Sequence, residues 1–443
     1  MRILFDQGVF DLRNKGNVAL LQVAVERIHR MWPDARLEVM TSAPHVLRLY
    51  CPVAEAVSPD GEHGTTGLAA VERAILGAVP RPVLRVLLEL REAAWSRWPA
   101  FRQWLRSDKP PAGVQSPVTV VADPAAPAED KAGGLPGGAL SLVKQADLVV
   151  ATGAQYMSDA CRDDALCVLD RLEAASRLGI PTAMVGQGVG PFEDTDLRRR
   201  ARAVYPLVDL IFVRDRLAGV PLLESLGVDR KRIHLTGDDA IELAHRERRA
   251  RLGSAIGVSL RSAHYTLVAQ ADIDILAQVL HTASTARGAD LVPIPISYSA
   301  HEEDELVLRA LTTWRRSPLA LGSRFQAPAA VARKVGRCRI VVTGTFHTAV
   351  FALAQGIPAV GLARTRMYLG KFQGLADQFG AGCQVVSLDG PGLRERLASA
   401  VDEAWAGAEG LRPQLLRVAE EQIALGHEAY RKLSELVDSR RLT

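Results

Sequence analysis

A chain of 443 residues is too long for one ordinary hydrophobic core, which predicts two domains. Its 48% hydrophobic and 23% charged residues are those of a globular protein, and 54 basic against 50 acidic side chains leave a net charge of only +4. That balance excludes a general polyanion binder, so no nucleic-acid partner is expected.

In chain order, the first element is the apolar run MRILF, which lacks the apolar stretch and cleavage site of a signal peptide. A polar loop, DQGVFDLRNKGN, leads into VALLQVAVERIHRMW at helical spacing, and ARLEVMT reads as a second strand. ADLVVATG (146–153), PTAMVGQGVG (181–190) and VDLIFVRD (208–215) read as further strands, separated by the helices DALCVLDRLEAASRLG and DTDLRRRARAVYPL. After the charged stretch AHRERRARLG (244–253) the pattern restarts. SAIGVSLR, ADLVPIPIS, RIVVTG and PAVGLA are strands, DIDILAQVLHTASTARG is a helix, and EGLRPQLLRVAEEQIALGHEAYRKLSELVDS is one long closing helix or two. Continuous apolar strands alternating with helices predict parallel sheets covered on both faces. The expected fold is α/β, with Rossmann-like domains over 1–245 and 253–410 facing each other across a cleft and a helical segment over 411–443. The cleft is the expected ligand site, because ligands sit outside the carboxyl ends of parallel strands. No run of about 18 apolar residues appears, so no membrane-spanning helix is expected.

Residues 60–140 break the rhythm and read as a helical and linker insertion in the first domain. Over 81–106, six arginines (81, 85, 91, 97, 102 and 106) face two glutamates, with Trp95, Trp98 and Trp104 interleaved. This stretch suits an interfacial helix contacting an anionic membrane; a helical hairpin packed on the domain with its arginines in water is the plainer alternative. The stretch ADPAAPAEDKAGGLPGG reads as a loose linker. The cysteines Cys51, Cys161, Cys167, Cys338 and Cys383 form no CxxC pair and no zinc-spaced cluster, so reduced thiols in a cytoplasmic protein are the reading, with no metal site expected.

Three strand-end loops carry glycine with polar groups. In RNKGNVALL, Gly16 permits close backbone approach and a helix is expected from about Asn17; the free backbone N–H groups there suit an anion or a sugar hydroxyl, and Asn17 as a plain N-cap is the alternative. GQGVGPF offers Gln187 in an open turn, too late in its domain for a dinucleotide fingerprint. In VVTGTFHTAVF, Thr343, Gly344 and Thr345 sit where a helix begins, and His347 in its first turn suits phosphate binding or proton exchange, with a purely structural histidine as the alternative. Arg214 and Arg261 close strands and suit bidentate anion binding; an ion pair with Asp215 or Asp238 is the alternative for Arg214. Asp238, beside Asp239, is a general base or a helix cap.

The ordered set NKGNVALLQ, VVATGAQ, AMVGQGVGPF, DLIFVRDRLAGVPLLESLGV, LTGDDAIEL, IGVSLR and TGTFHTAVFALAQGIPAVGL resembles the polysaccharide pyruvyl transferase family. The resemblance implies a fold similar to the GT-B glycosyltransferases, with the first domain binding acceptor and the second donor. It implies transfer of a pyruvyl group to hydroxyls of a glycan or glycolipid precursor, with phosphoenolpyruvate as co-substrate and no cofactor. It makes His347 and Asp238 the catalytic candidates. Arg214, Arg261, Thr343, Gly344, Thr345 and Lys371 fall on the donor side. Asn14, Gly16, Asn17, Gln155 and Gln187 fall on the acceptor side. Thr345 stands where the family has arginine and Asn17 where many members have aspartate. Arg261, Arg364 or Lys371 would then supply the missing charge, or the donor is a nucleotide sugar, or the chain is a non-catalytic relative.

Overall fold

Short apolar runs pair side by side because each is too hydrophobic to leave either face in water. The computed structural model describes residues 1–8, 10–59, 76–97, 137–261, 263, 265–299, 304–311 and 322–441. Seven strands form the first sheet: β1 (Arg2–Asp6), β2 (Arg36–Met40), β3 (Ala54–Val57), β4 (Leu148–Ala151), β5 (Thr182–Gln187), β6 (Leu210–Val213) and β7 (Ile233–Leu235). Five form the second: β8 (Ala255–Ser259), β9 (Leu291–Pro293), β10 (Cys338–Thr343), β11 (Ala359–Ala363) and β12 (Cys383–Ser387). Every pairing is parallel, in the orders β3-β2-β1-β4-β5-β6-β7 and β12-β11-β10-β8-β9. The chain therefore reverses direction across each sheet once, between β1 and β4 and between β8 and β10. At these switch points neighbouring loops diverge and leave a crevice above the strand ends.

The two crevices face each other, and several contacts hold them so. Lys15 N donates to Ile296 O at 2.8 Å, and Asn14 pairs with Ser297 as an isolated antiparallel bridge. The Lys15 ammonium is buried, donates to Tyr50 Oη at 2.6 Å and lies 5.5 Å from the Tyr298 ring centroid of the second domain. Burial, only partly offset by Asp11, pulls its pKa down to about 7. The first helix runs Lys15–Met31, and its cap is Asn14, whose Oδ1 accepts from Gly16 N and Asn17 N. This corrects the expected start at Asn17: pairing with Ser297 holds Asn14 extended, as a cap requires.

The closing helix begins at Leu393 and runs to Arg441. Its first part packs Leu397, Val401 and Ala404 against the second domain, and its last part packs Tyr430, Leu433 and Val437 against the first. Between them lies a buried ionic knot. Arg27 donates to Asp239 (2.6 Å) and Glu242 (2.8 Å), while Tyr430 Oη donates to Asp239 at 3.0 Å. Of the expected insertion, the helix Arg81–Arg97 is described, with Leu84 and Leu88 buried in the first domain's core. The remainder, 60–75 and 98–136 with the linker and Trp98 and Trp104, lies outside the described residues. No described helix is long and apolar enough to cross a membrane.

The ionic knot makes stability depend on acid. Burial alone would raise the Glu242 pKa, but Arg27, Arg246 and His427 outweigh it and hold the carboxyl at about 2, below its ordinary 4.5. A depressed carboxylate pKa gives stability that is present above pH 4.5 and lost as pH falls toward 2. Glu242→Gln is expected to lower stability at pH 7 by on the order of 3 kcal/mol and to flatten the Tm decline between pH 4.5 and 2. A variant with a wild-type acid limb would contradict this role.

Candidate active site

The loops at both switch points line one cleft of about 400 Å³. From the first domain come Asp11, Asn14, Asn17, Gln155, Asp164 and Arg214; from the second come Arg261, Tyr265, Thr345, His347, Tyr368 and Lys371. The second domain's wall thus carries cations, and the first domain's wall carries amides and carboxylates around Arg214.

Arg214 follows β6, where strand pairing fixes its backbone, and Arg214 N donates to Gln187 O at 3.0 Å. Its side chain is only 4% exposed. The guanidinium donates to Gln155 Oε1, reaches Asp238 Oδ2 at 3.5 Å and stacks 4.1 Å from the Phe346 ring centroid. A side chain at Gly188 would collide with Arg214 and Gln155, so glycine there lets the pair meet.

His347 lies in the first turn of the helix Phe346–Leu353, which follows β10 and is buried on every side. Its Nε2 makes no hydrogen bond, with Asp238 Oδ2 3.7 Å away. Burial, then Arg214, Lys371 and Arg261, push its pKa well below 6.5, so the imidazole is neutral at pH 7. Asp238 lies behind both groups, outside the cleft lining, and its Oδ1 accepts from Ala240 N at 2.9 Å. Burial pushes its carboxyl up to about 6 against the opposing pull of Arg214 and of the Ala240 N–H.

Gly16 explains itself here. A Cβ at this position would fall inside the His347 imidazole, so only glycine lets the first helix seat against the second domain. Its N–H is already engaged by Asn14 Oδ1 at 3.0 Å. Gln187 is likewise turned inward, donating to Thr152 O at 2.7 Å and Tyr156 Oη at 3.1 Å, and is not in the lining. Asn14, Asn17 and Gln155 do line the cleft.

On the other wall, Thr345 Oγ1 belongs to a buried hydroxyl cluster with Ser259 (2.7 Å), Thr348 (2.6 Å) and Thr343 (3.1 Å). Thr343 and Gly344 lie beneath it, outside the lining. Arg261 is held by Asp304 at 2.8 Å, whose other oxygen accepts from Ile296 N and Ser297 N. Lys371 Nζ sits 4.4 Å from the Tyr368 ring centroid. Arg364 is drawn away by Asp272 (2.9 Å) and Asp389 (3.2 Å). Sequence reasoning missed Asp11, Asp164 and the stacked Tyr265–Tyr368 pair, whose centroids are 6.0 Å apart. The usable signal was position alone: Asp11 and Tyr265 follow strand ends, and Asp164 and Tyr368 lie in the first turns of the helices Arg162–Arg177 and Arg366–Phe379. Among the described residues no group of three His, Cys, Asp or Glu is placed to hold a metal.

Two parallel sheets whose carboxyl edges meet at one cleft define a GT-B-type architecture. The UDP-GlcNAc 2-epimerase of Neisseria meningitidis bound to UDP-GlcNAc shares it, at 10% identity and a TM-score of 0.54 over 99% of this chain and 100% of that one. So does the S. aureus MnaA–UDP structure, at 12% identity and a TM-score of 0.55 over 100% and 97%. A glycosyltransferase from Rickettsia africae matches at 8% identity and a TM-score of 0.50, over 98% of both chains. These likenesses show the fold alone. No curated protein sequence matches the chain. The polysaccharide pyruvyl transferase family model matches residues 14–366, and the chain belongs to that family of transferases.

The tight seat of Gly16 gives a test. Gly16→Ala is expected to cost about 1–3 kcal/mol through overpacking, read as a lower Tm. Asn17→Ala, one residue on, should stay within about 0.5 kcal/mol of wild type. A Gly16→Ala protein as stable as wild type would contradict the close approach.

Proposed function

We propose that the cleft transfers the pyruvyl group of phosphoenolpyruvate to two hydroxyls of a glycan or glycolipid precursor. The observation that carries the reading is a neutral, buried His347 facing a cleft into which Arg214, Arg261 and Lys371 also converge. Three cations suit a small donor bearing both a carboxylate and a phosphate. The opposite wall, with Asn14, Asn17, Asp11 and Asp164, suits the hydroxyls of a sugar.

Burial and, after it, the cations Arg214, Lys371 and Arg261 keep His347 neutral, and a bound anion would offset the cations. Donor binding therefore favours proton uptake by His347, which makes it an acid placed beside the donor. In the reaction, His347 gives a proton to the methylene carbon, and C2 becomes electrophilic. One acceptor hydroxyl adds to C2, phosphate leaves, and the second hydroxyl closes the ketal. The two hydroxyl protons balance the one gained by the methyl group and the one gained by phosphate. Asp238 touches neither substrate from where it lies; it acts through His347 and Arg214, as a positioning residue. Arg261 and Lys371 take the place of the cation that Thr345 does not supply.

A thermal-shift comparison of phosphoenolpyruvate with UDP, GDP, ADP and CMP tests the donor. Ligand at about 100 times its Kd should add roughly 2.7 kcal/mol, a Tm rise of a few degrees. Phosphoenolpyruvate is expected to give that rise, and His347→Gln and Lys371→Ala are expected to reduce it. A rise with one nucleotide and none with phosphoenolpyruvate would move the reading to a nucleotide-activated donor.

A further inference from the structure

Among the described residues two carboxylates line the cleft, Asp11 and Asp164. Asp11 is already engaged. One of its oxygens accepts from Arg13 N at 3.0 Å, and the other accepts from Ser299 Oγ of the second domain at 2.8 Å. Asp238 lies outside the lining, held by Ala240 N and Arg214. Asp164 differs from both: among the described residues it makes no hydrogen bond and no ion pair.

Asp164 stands in the first turn of the helix Arg162–Arg177, and the polar groups around it are committed elsewhere. Arg171, seven residues on and so on the same helical face, pairs with the buried Asp6. Tyr156, also in the lining, donates its Oη to Thr152 O at 2.7 Å and accepts from Gln187. Burial, then Asp163 and Asp6, raise the Asp164 pKa above its ordinary 3.8 against the pull of Arg171, which makes this carboxylate a stronger base than one in water. An acid in a first turn also complements the helix dipole, but Asp163, whose side chain is 94% exposed, supplies that from outside the cleft.

We infer that Asp164 is the general base that takes the proton of the acceptor hydroxyl adding to C2. As the hydroxyl oxygen bonds to C2, its O–H bond breaks and the proton passes to an Asp164 carboxylate oxygen. The bond from C2 to the phosphate oxygen then breaks with its electron pair, and Asp164 hands its proton to the departing phosphate. The second hydroxyl closes the ketal and returns to His347 the proton spent on the methylene carbon. Acid and base thus come from opposite domains and meet in one cleft. The inference rests on the pyruvyl-transfer reading above.

The test is phosphate release from phosphoenolpyruvate with water, methyl β-galactoside and methyl β-mannoside as the hydroxyl donors. Asp164→Asn is expected to lower kcat about a hundredfold on whichever of these wild type uses. Its KM for phosphoenolpyruvate and its Tm rise with that donor should match wild type, because Asp164 lies on the wall away from Arg261 and Lys371. Asp163→Asn removes the same charge from the same helical turn and should stay within about threefold of wild type, since an exposed charge is screened. Full turnover by Asp164→Asn, or equal losses in the two variants, would overturn the inference and leave pyruvyl transfer standing. So would a wild type that shows the Tm rise yet releases no phosphate even to water, because an unengaged base beside the donor serves water as it serves a sugar. A wild type with no Tm rise on phosphoenolpyruvate would remove the donor reading and this inference with it.

Discussion

The cleft depends on a positive charge kept almost out of water. Among the described residues Arg214 has a single carboxylate within ion-pair range, Asp238 at 3.5 Å, and the distance is long. The other compensation is a neutral amide from Gln155 and the face of Phe346. Removing such a charge from solvent costs several kcal/mol unless it is well paired. The protein therefore holds a cation whose balance is incomplete until an anion arrives. That field adds to burial in keeping His347 neutral and raises the value of any phosphate or carboxylate placed beside it.

This arrangement exists only while the domains are closed. Arg214 belongs to the first domain and His347 to the second, and Gly16 is the contact that lets them approach. The bridge from Asn14 to Ser297 and Lys15 between Tyr50 and Tyr298 act on the same closure, while the Arg27–Asp239–Tyr430 knot fastens the closing helix to the first domain. The closing helix ties the ends together by packing on both domains. The neighbouring carboxylates Asp238 and Asp239 split between these tasks: the first faces Arg214 and His347, the second faces Arg27.

Much of the fold was legible because central strands of a parallel sheet are apolar on both faces. The strands not foreseen, β3, β7 and β12, are all sheet edges with partly exposed residues, so their sequences AEAV, IHL and CQVVS lack that signal. The closing helix was expected from Glu409, and its earlier start at Leu393 was not foreseen; Gly407 is the residue there that local propensity reads as a break. Tertiary burial of Leu397, Val401, Ala404 and Ala408 overrides it. In the site, His347 and Arg214 were readable as polar residues ending apolar strands. The inward turn of Gln187, the placement of Asp238 behind the lining, and the arrival of Asp11 and Asp164 were not, because domain closure rather than local sequence decides them.

The central claim is that burial, reinforced by the cations of the cleft, holds His347 unprotonated, and that an anionic donor shifts it toward protonation by offsetting those cations. Calorimetric titration of phosphoenolpyruvate at pH 7, repeated in buffers of different ionisation enthalpy, measures the protons exchanged on binding. The account predicts more proton uptake by wild type than by His347→Gln, with both proteins binding the donor. Equal proton exchange in the two proteins would contradict it.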